Sequence, residues 1–122
     1  MKFIMLFGAI NGFLAVALGA FGAHGLEGKI SEKALNAWEK AVTYQMFHAI
    51  ALFIVGIIST KIETISITWA GIFFAIGIVL FSGSLYAYAT TGIKQLAIIT
   101  PFGGVFFLIG WIILGYVIVR FV

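Results

Sequence analysis

The sequence lacks cysteine and aspartate entirely, and it contains a single proline. Without cysteine the chain can form no disulfide, no thiolate nucleophile and no cysteine-ligated metal site. Its acidic side chains are four glutamates, and three of them, Glu27, Glu32 and Glu39, lie in one charged segment. We interpret these three as a solvated face and not as paired catalytic carboxylates, so no acid–base pair is evident.

Charge is also scarce, since 9% of the 122 residues are charged and 63% are hydrophobic. A run of about 20 helical residues, at about 1.5 Å per residue, crosses the roughly 30 Å hydrocarbon core of a bilayer. The chain therefore predicts an all-α fold, an integral membrane four-helix bundle in which residues 1–122 form a single transmembrane domain in the lipid bilayer. The four charge-free runs are residues 3–23, about 41–60, 65–88 and 96–119.

The basic residues flank these runs and form no patch, so the formal net charge of +3 does not indicate a nucleic-acid partner. Four spans would place both termini on one side of the membrane, which we call side A, and the opposite side is side B. Three basic residues on one side against four on the other leave the orientation open. Side A holds Lys2, Lys61 and Arg120, and side B holds Lys29, Lys33, Lys40 and Lys94.

The first apolar run has some features of a secretory signal peptide, because Lys2 precedes it and small residues follow near its end. However, the run is longer than a typical signal-peptide apolar region, and it contains Asn11. We therefore interpret it as a first transmembrane helix.

Residues 24–40 separate the first two runs and are amphipathic in their second half. Ser31 is a candidate N-cap and Glu32 would lie in the first helical turn. We expect a short amphipathic helix at the membrane interface between helices one and two. Because no Gly or Pro occurs between it and Gly56, the alternative is that it continues directly into helix two.

Small residues recur every three or four positions in the first run, so they share one helix face. A helix face of small residues favours helix association in lipid, because it allows two backbones to approach closely. We interpret the face as packing inside the bundle, and a homo-oligomer interface is the alternative. The predicted helix-packing residues are Gly8, Asn11, Gly12, Ala15 and Gly19 in the first run, and Gly103 and Gly104 in the last.

Polar residues of the spans concentrate near side B, because the connectivity places the end of helices one and three and the start of helices two and four there. Polar groups inside a membrane are costly unless they are satisfied, so this clustering indicates a shared polar cavity or hydrogen-bond network. The candidate cluster consists of His24, Tyr44, Gln45, His48, Ser82, Ser84, Tyr86 and Thr100.

Four blocks of the sequence occur in the order found in one known family. They are GAFGAHGL (residues 19–26), WEKAVTYQMFHAIAL (38–52), FSGSLY (81–86) and ITPFGGVFFLIGW (99–111). With these blocks the chain resembles the YgdD/YwdK family of small bacterial membrane proteins, which have four predicted spans and no established function. The resemblance implies a protein of the bacterial cytoplasmic (inner) membrane, and it brings no catalytic residues.

The two histidines could in principle hold a metal or a haem between them. Such sites usually need a further ligand or a supporting carboxylate, which the runs do not supply. The simpler interpretation is that His24 and His48 bond to neighbouring groups and stabilise helix packing, with a proton relay as a third interpretation. We therefore expect neither a metal nor a cofactor.

Three functional hypotheses remain. The first is a non-enzymatic scaffold or accessory subunit that acts by helix association, with an unidentified protein partner. The second is a small oligomeric transporter or channel that uses the polar cluster around His48. The third is a subunit that binds lipid, quinone or haem.

Overall fold

The charge-free runs fold as long helices, since an apolar segment can satisfy its backbone groups internally only in a helix or a closed barrel. The computed structural model describes residues 1–122 and contains no strand. Four helical stretches are long and apolar enough to cross a membrane: Lys2–Leu26, Glu32–Ser59, Ile65–Thr91 and Lys94–Phe121. Within them the regular α-helices are α1 (Lys2–Phe21), α2 (Glu32–Ser59), α3 (Ile65–Gly77), α4 (Gly83–Thr91) and α5 (Thr100–Phe121).

The amphipathic segment before the second span is not a separate helix. Ser31 caps α2, its Oγ accepting a hydrogen bond from the backbone N–H of Ala34 at 3.0 Å, and the helix then continues to Ser59 without a break. The expected interfacial helix is therefore the first turns of α2. A continuous helix is the alternative that we expected from the absence of Gly or Pro before Gly56.

The third span contains one π-helical turn, Ile78–Ser82, between α3 and α4. An extra residue in the turn bulges the backbone outward. The bulge lies against α5, where a Cβ built on Gly103 would come within 2.7 Å of the Cα atom of Phe81. A glycine at position 103 thus allows the two backbones to touch at the bulge.

The second and third spans form the centre of the bundle, and the outer helices pack against them. Each span is antiparallel to the next: in the first pair, Gly8 of α1 approaches Ala49 and Leu52 of α2, whereas Gly19 approaches Val42. In the most apolar stretch of each helix, 44% of the residues are buried in α2 but only 17% in the first span. The helix α1 is therefore peripheral. The main core consists of Ala51, Leu52, Val55, Ile67, Ala70, Phe74, Ile78, Phe107, Leu114 and Val117.

The predicted packing glycines do not all contact a neighbouring helix. Gly8 and Gly19 lie against α2, with Cβ positions 3.0 Å from the Ala49 oxygen and 3.1 Å from a Val42 methyl group. Gly12, by contrast, has no atom of another helix within 4 Å of its Cβ position. The Cβ position of Gly104 lies 3.9 Å from the nearest atom of the Phe81 ring. Gly8 and Gly12 therefore do not pack together against one neighbouring helix of this chain.

Candidate functional site

Three helices are joined by one chain of buried amide and hydroxyl groups. Gln45 Nε2 donates to Asn11 Oδ1 at 2.9 Å, and the hydroxyl of Tyr86 donates to Gln45 Oε1 at 2.6 Å. Asn11 in turn donates from Nδ2 to the carbonyl oxygen of Phe7 at 2.8 Å. Asn11 and Gln45 are both buried. We call Asn11, Gln45 and Tyr86 the amide network.

Trp38 closes the amide network toward side B. Its indole N–H donates to the carbonyl oxygen of Leu18 at 2.9 Å, which joins α2 to α1 a second time. Its ring meets Tyr86 edge-on, with centroids 4.7 Å apart. Trp38 packs with Ala34 and Ala89 in a small second core. Trp38 is thus buried as a hydrogen-bond donor between two helices.

His48 belongs to a different set of contacts, on the side of α2 that faces α3 and α5. Its Nδ1 lies 2.8 Å from the carbonyl oxygen of Tyr44, and its Nε2 lies 3.0 Å from the indole nitrogen of Trp111. A carbonyl oxygen can only accept and an indole N–H can only donate, so the ring is the neutral tautomer with hydrogen on Nδ1. The imidazole also stacks on Phe107, with centroids 3.5 Å apart and an interplanar angle of 8°.

The serines join the third span to its neighbours through two further contacts. Ser82, in the π-helical turn, donates from Oγ to the carbonyl oxygen of Ala41 at 2.8 Å. Ser84 Oγ lies 2.6 Å from Thr100 Oγ1 at the start of α5, and Ser84 also donates to the carbonyl oxygen of Phe81. These bonds tie α2, the third span and α5 together near side B.

The predicted polar cluster is therefore divided into separate groups and does not form one network. His24 is exposed and makes no side-chain hydrogen bond. Tyr44 is partly exposed, and its ring packs on Phe81 with centroids 4.5 Å apart. The indole donors Trp38 and Trp111 are not predicted from the sequence, because helical spacing does not show which carbonyl or ring nitrogen an indole will reach.

The chemistry available to these groups is limited by their hydrogen bonds. No buried side-chain nitrogen or oxygen atom lacks a partner, and no group of three or more His, Cys, Asp or Glu residues could hold a metal ion. Both nitrogens of His48 are engaged, so ligation of a metal or haem there would require Trp111 or the Tyr44 carbonyl to be displaced. The arrangement is suited to holding helices at fixed positions.

A groove on the surface separates α2 from α5. Its volume is about 360 Å³, and Tyr44, Phe47, His48 and Trp111 line it together with Thr43. Phe47 and Trp111 are exposed along the groove, so acyl chains would contact them in a bilayer. His48 is buried at its base.

Both a family model and curated relatives match this chain. Residues 18–104 match the family model described as "Protein of unknown function (DUF423)". The chain is 55% identical to the UPF0382 membrane protein SAB0533 of Staphylococcus aureus (strain bovine RF122 / ET3-1), over 93% of each chain. It is 52% identical to the UPF0382 membrane protein YwdK of Bacillus subtilis (strain 168), over 99% of each.

No solved structure matches the chain. The resemblance to the YgdD/YwdK family, inferred from four sequence blocks, is confirmed by the match to YwdK over nearly the whole length. The relatives carry the name of membrane proteins, in agreement with the four long apolar helices. The chain is thus a multi-pass membrane protein of the DUF423 family.

Proposed function

We propose that this protein is a non-enzymatic component of the bacterial cytoplasmic membrane that acts by binding another membrane helix, as a scaffold or accessory subunit. The observation that carries this proposal is the group of small residues on α1, Ala9, Gly12 and Ala20, that the other helices of the chain leave open. In this proposal the four antiparallel helices place both termini on the same side of the membrane.

The open edge of α1 has the composition that helix association in lipid requires. Helices in a bilayer gain little from hydrophobicity when they meet, because the lipid tails are equally apolar, so close approach at small residues matters instead. Ala9, Gly12 and Ala20 lie on neighbouring parts of the α1 surface by helical spacing, and Ala9 and Ala20 are exposed. A second copy of this chain, or a helix of another protein, could pack closely here.

The interior of the bundle favours this role over catalysis or conduction. Every buried polar side-chain atom is bonded within the chain, which is the pattern of groups that hold helices together. The amide network and the His48–Trp111 bond each join two or more helices. The names of the relatives also include no enzyme activity. A transporter remains the alternative, and its route would lie between subunits.

Photo-crosslinking in native membranes tests the proposal. A photoreactive phenylalanine analogue replaces Val16, which is exposed and one turn beyond Gly12, and a matched control carries it at Ala17, which is exposed about 100° further around α1. We expect a protein adduct of discrete mass from position 16, a much weaker one from position 17, and loss of the adduct when Gly12→Leu fills the open edge. Adducts with lipid alone at both positions would contradict the proposal.

A further inference from the structure

A pocket of about 400 Å³ opens at the side B end of the bundle, between the first turns of α2, the end of α4 and the short helical turn Lys94–Ile98. Three lysines line it: Lys33 and Lys40 from α2, and Lys94 from the connection to α5. Asn36 and Tyr88 add an amide and a phenol hydroxyl to the lining. We call this the lysine pocket.

We propose that the lysine pocket binds the phosphate group of an anionic phospholipid. Three lysines from two separate parts of the chain line the pocket, and the lining contains no acidic residue. Glu32 and Glu39 each precede one of the α2 lysines by a single residue, which places them about 100° away around the helix. The lining itself therefore carries only positive charge, which attracts an anion.

The position of the pocket along the helices matches the depth of lipid headgroups. Lys33 is the second residue of α2, and Tyr88 lies close to Gly92, whose φ of 72° ends α4. Tyrosine side chains are enriched at the boundary between hydrocarbon and water, and lysines near helix ends extend toward that boundary. The pocket that the three lysines line therefore lies where lipid headgroups are expected.

The size and floor of the pocket favour a lipid headgroup over a free phosphate ion. A water molecule occupies about 30 Å³ of liquid, so the pocket is large enough for a dozen waters and much larger than one phosphate. Ala37 and the buried Leu85 form part of the lining and supply apolar contact. A phosphate joined to glycerol and the first methylenes of an acyl chain would fill both the polar and the apolar part.

Native mass spectrometry of the detergent-purified full chain tests the assignment with dioleoylphosphatidylglycerol as the probe and dioleoylphosphatidylcholine for comparison. The pocket variant is Lys33→Gln/Lys40→Gln/Lys94→Gln. The control variant, Lys2→Gln/Lys29→Gln/Lys61→Gln, makes the same change in net charge at lysines outside the pocket. Each lysine near an anionic lipid surface strengthens binding about fivefold, so we expect the pocket variant to bind phosphatidylglycerol about 100-fold more weakly.

The expected result also includes near-normal binding by the control variant, weaker binding of phosphatidylcholine, and restored binding by Lys33→Arg/Lys40→Arg/Lys94→Arg. Sodium phosphate at the same concentration as the lipid should not displace the lipid from the protein. If phosphate displaces the lipid and itself stays bound, the ligand is a free phosphate ion and not a lipid. Equal losses in the pocket and control variants would overturn the pocket as the site. The pocket lysines are exposed, and an unchanged circular dichroism spectrum shows that the variants fold.

Discussion

The hydroxyl group of Tyr86 donates to the side-chain oxygen of Gln45 at 2.6 Å, and the same amide donates to Asn11 on a third helix. Each oxygen and nitrogen of the Gln45 side chain thus contacts a different span. In a bilayer the alternative to such a bond is a polar group without a partner, which is costly. The amide network therefore fixes how the first three spans are rotated and offset relative to one another.

Tyr86→Phe should weaken the bundle, because it removes the donor and leaves the buried oxygen of Gln45 without a bond. Hydrogen bonds between membrane helices contribute about 0.6 kcal/mol on average and rarely more than about 1.7, so we expect a loss of about 0.5–1.5 kcal/mol in the free energy of unfolding. Titration with sodium dodecyl sulfate from a mild detergent, followed by circular dichroism, measures it.

Tyr116→Phe is the matched control, because Tyr116 is exposed on α5 and its hydroxyl makes no hydrogen bond within the chain. A double-mutant cycle with Gln45→Leu isolates the pairwise term. If Tyr86→Phe and Tyr116→Phe have the same effect, or if the cycle gives no coupling, the bond does not stabilise the fold.

His48 should be observed as the neutral tautomer with hydrogen on Nδ1, since Trp111 donates to Nε2. Nitrogen-15 NMR of the imidazole at neutral pH distinguishes the two tautomers directly. We further expect Trp111→Phe to shift the Nε2 resonance and to lower the free energy of unfolding by about 1 kcal/mol. Trp69→Phe, which removes an indole with no hydrogen bond, should change neither. A protonated Nε2 in the wild type would contradict the geometry.

Because both nitrogens of His48 are hydrogen-bonded, we expect this residue to contribute nothing to the binding of added haemin or zinc. The measurement is a titration of the purified protein with each, followed by the Soret band for haemin and by calorimetry for zinc. Wild type and His48→Ala should give the same curves, with any weak binding arising from the exposed His24. A Soret shift that disappears only in His48→Ala would show that the histidine is a ligand.

The sequence predicts the number of long apolar helices, because the cost of charge in hydrocarbon is a local property of each residue. Charge-free runs at 41–60 and 65–88 lie within the helices Glu32–Ser59 and Ile65–Thr91. The capping role of Ser31 is also local, and the structure confirms it at 3.0 Å from Ala34. The sequence alone left open whether the amphipathic turns form their own helix, because the lack of a Gly or Pro permits a continuous helix without requiring one.

Hydrogen-bond partners could not be assigned from the sequence for a physical reason. Helical spacing places Gln45 and His48 near one another on α2, yet one faces Asn11 and the other faces Trp111. Which partner each reaches is decided by helix rotation and offset, and these follow from contacts such as Gly103 with the π-helical turn at Phe81. Two residues at a similar depth in the membrane, such as His24 and Tyr44, need not be in contact.

Two glycines of α5 should respond in opposite ways to the same substitution. In Gly103→Ala the new methyl group would meet the backbone of Phe81, with the Cα atom 2.7 Å away, so one helix must move. Overpacking of this kind costs about 1–3 kcal/mol. In Gly115→Ala nothing lies within 4 Å of the new methyl group, and helix propensity favours alanine by up to about 1 kcal/mol. Unfolding in sodium dodecyl sulfate should therefore show destabilisation at position 103 and no loss, or a slight gain, at position 115. Equal destabilisation at both positions would mean that helix approach at the π-helical turn does not hold α5 in place.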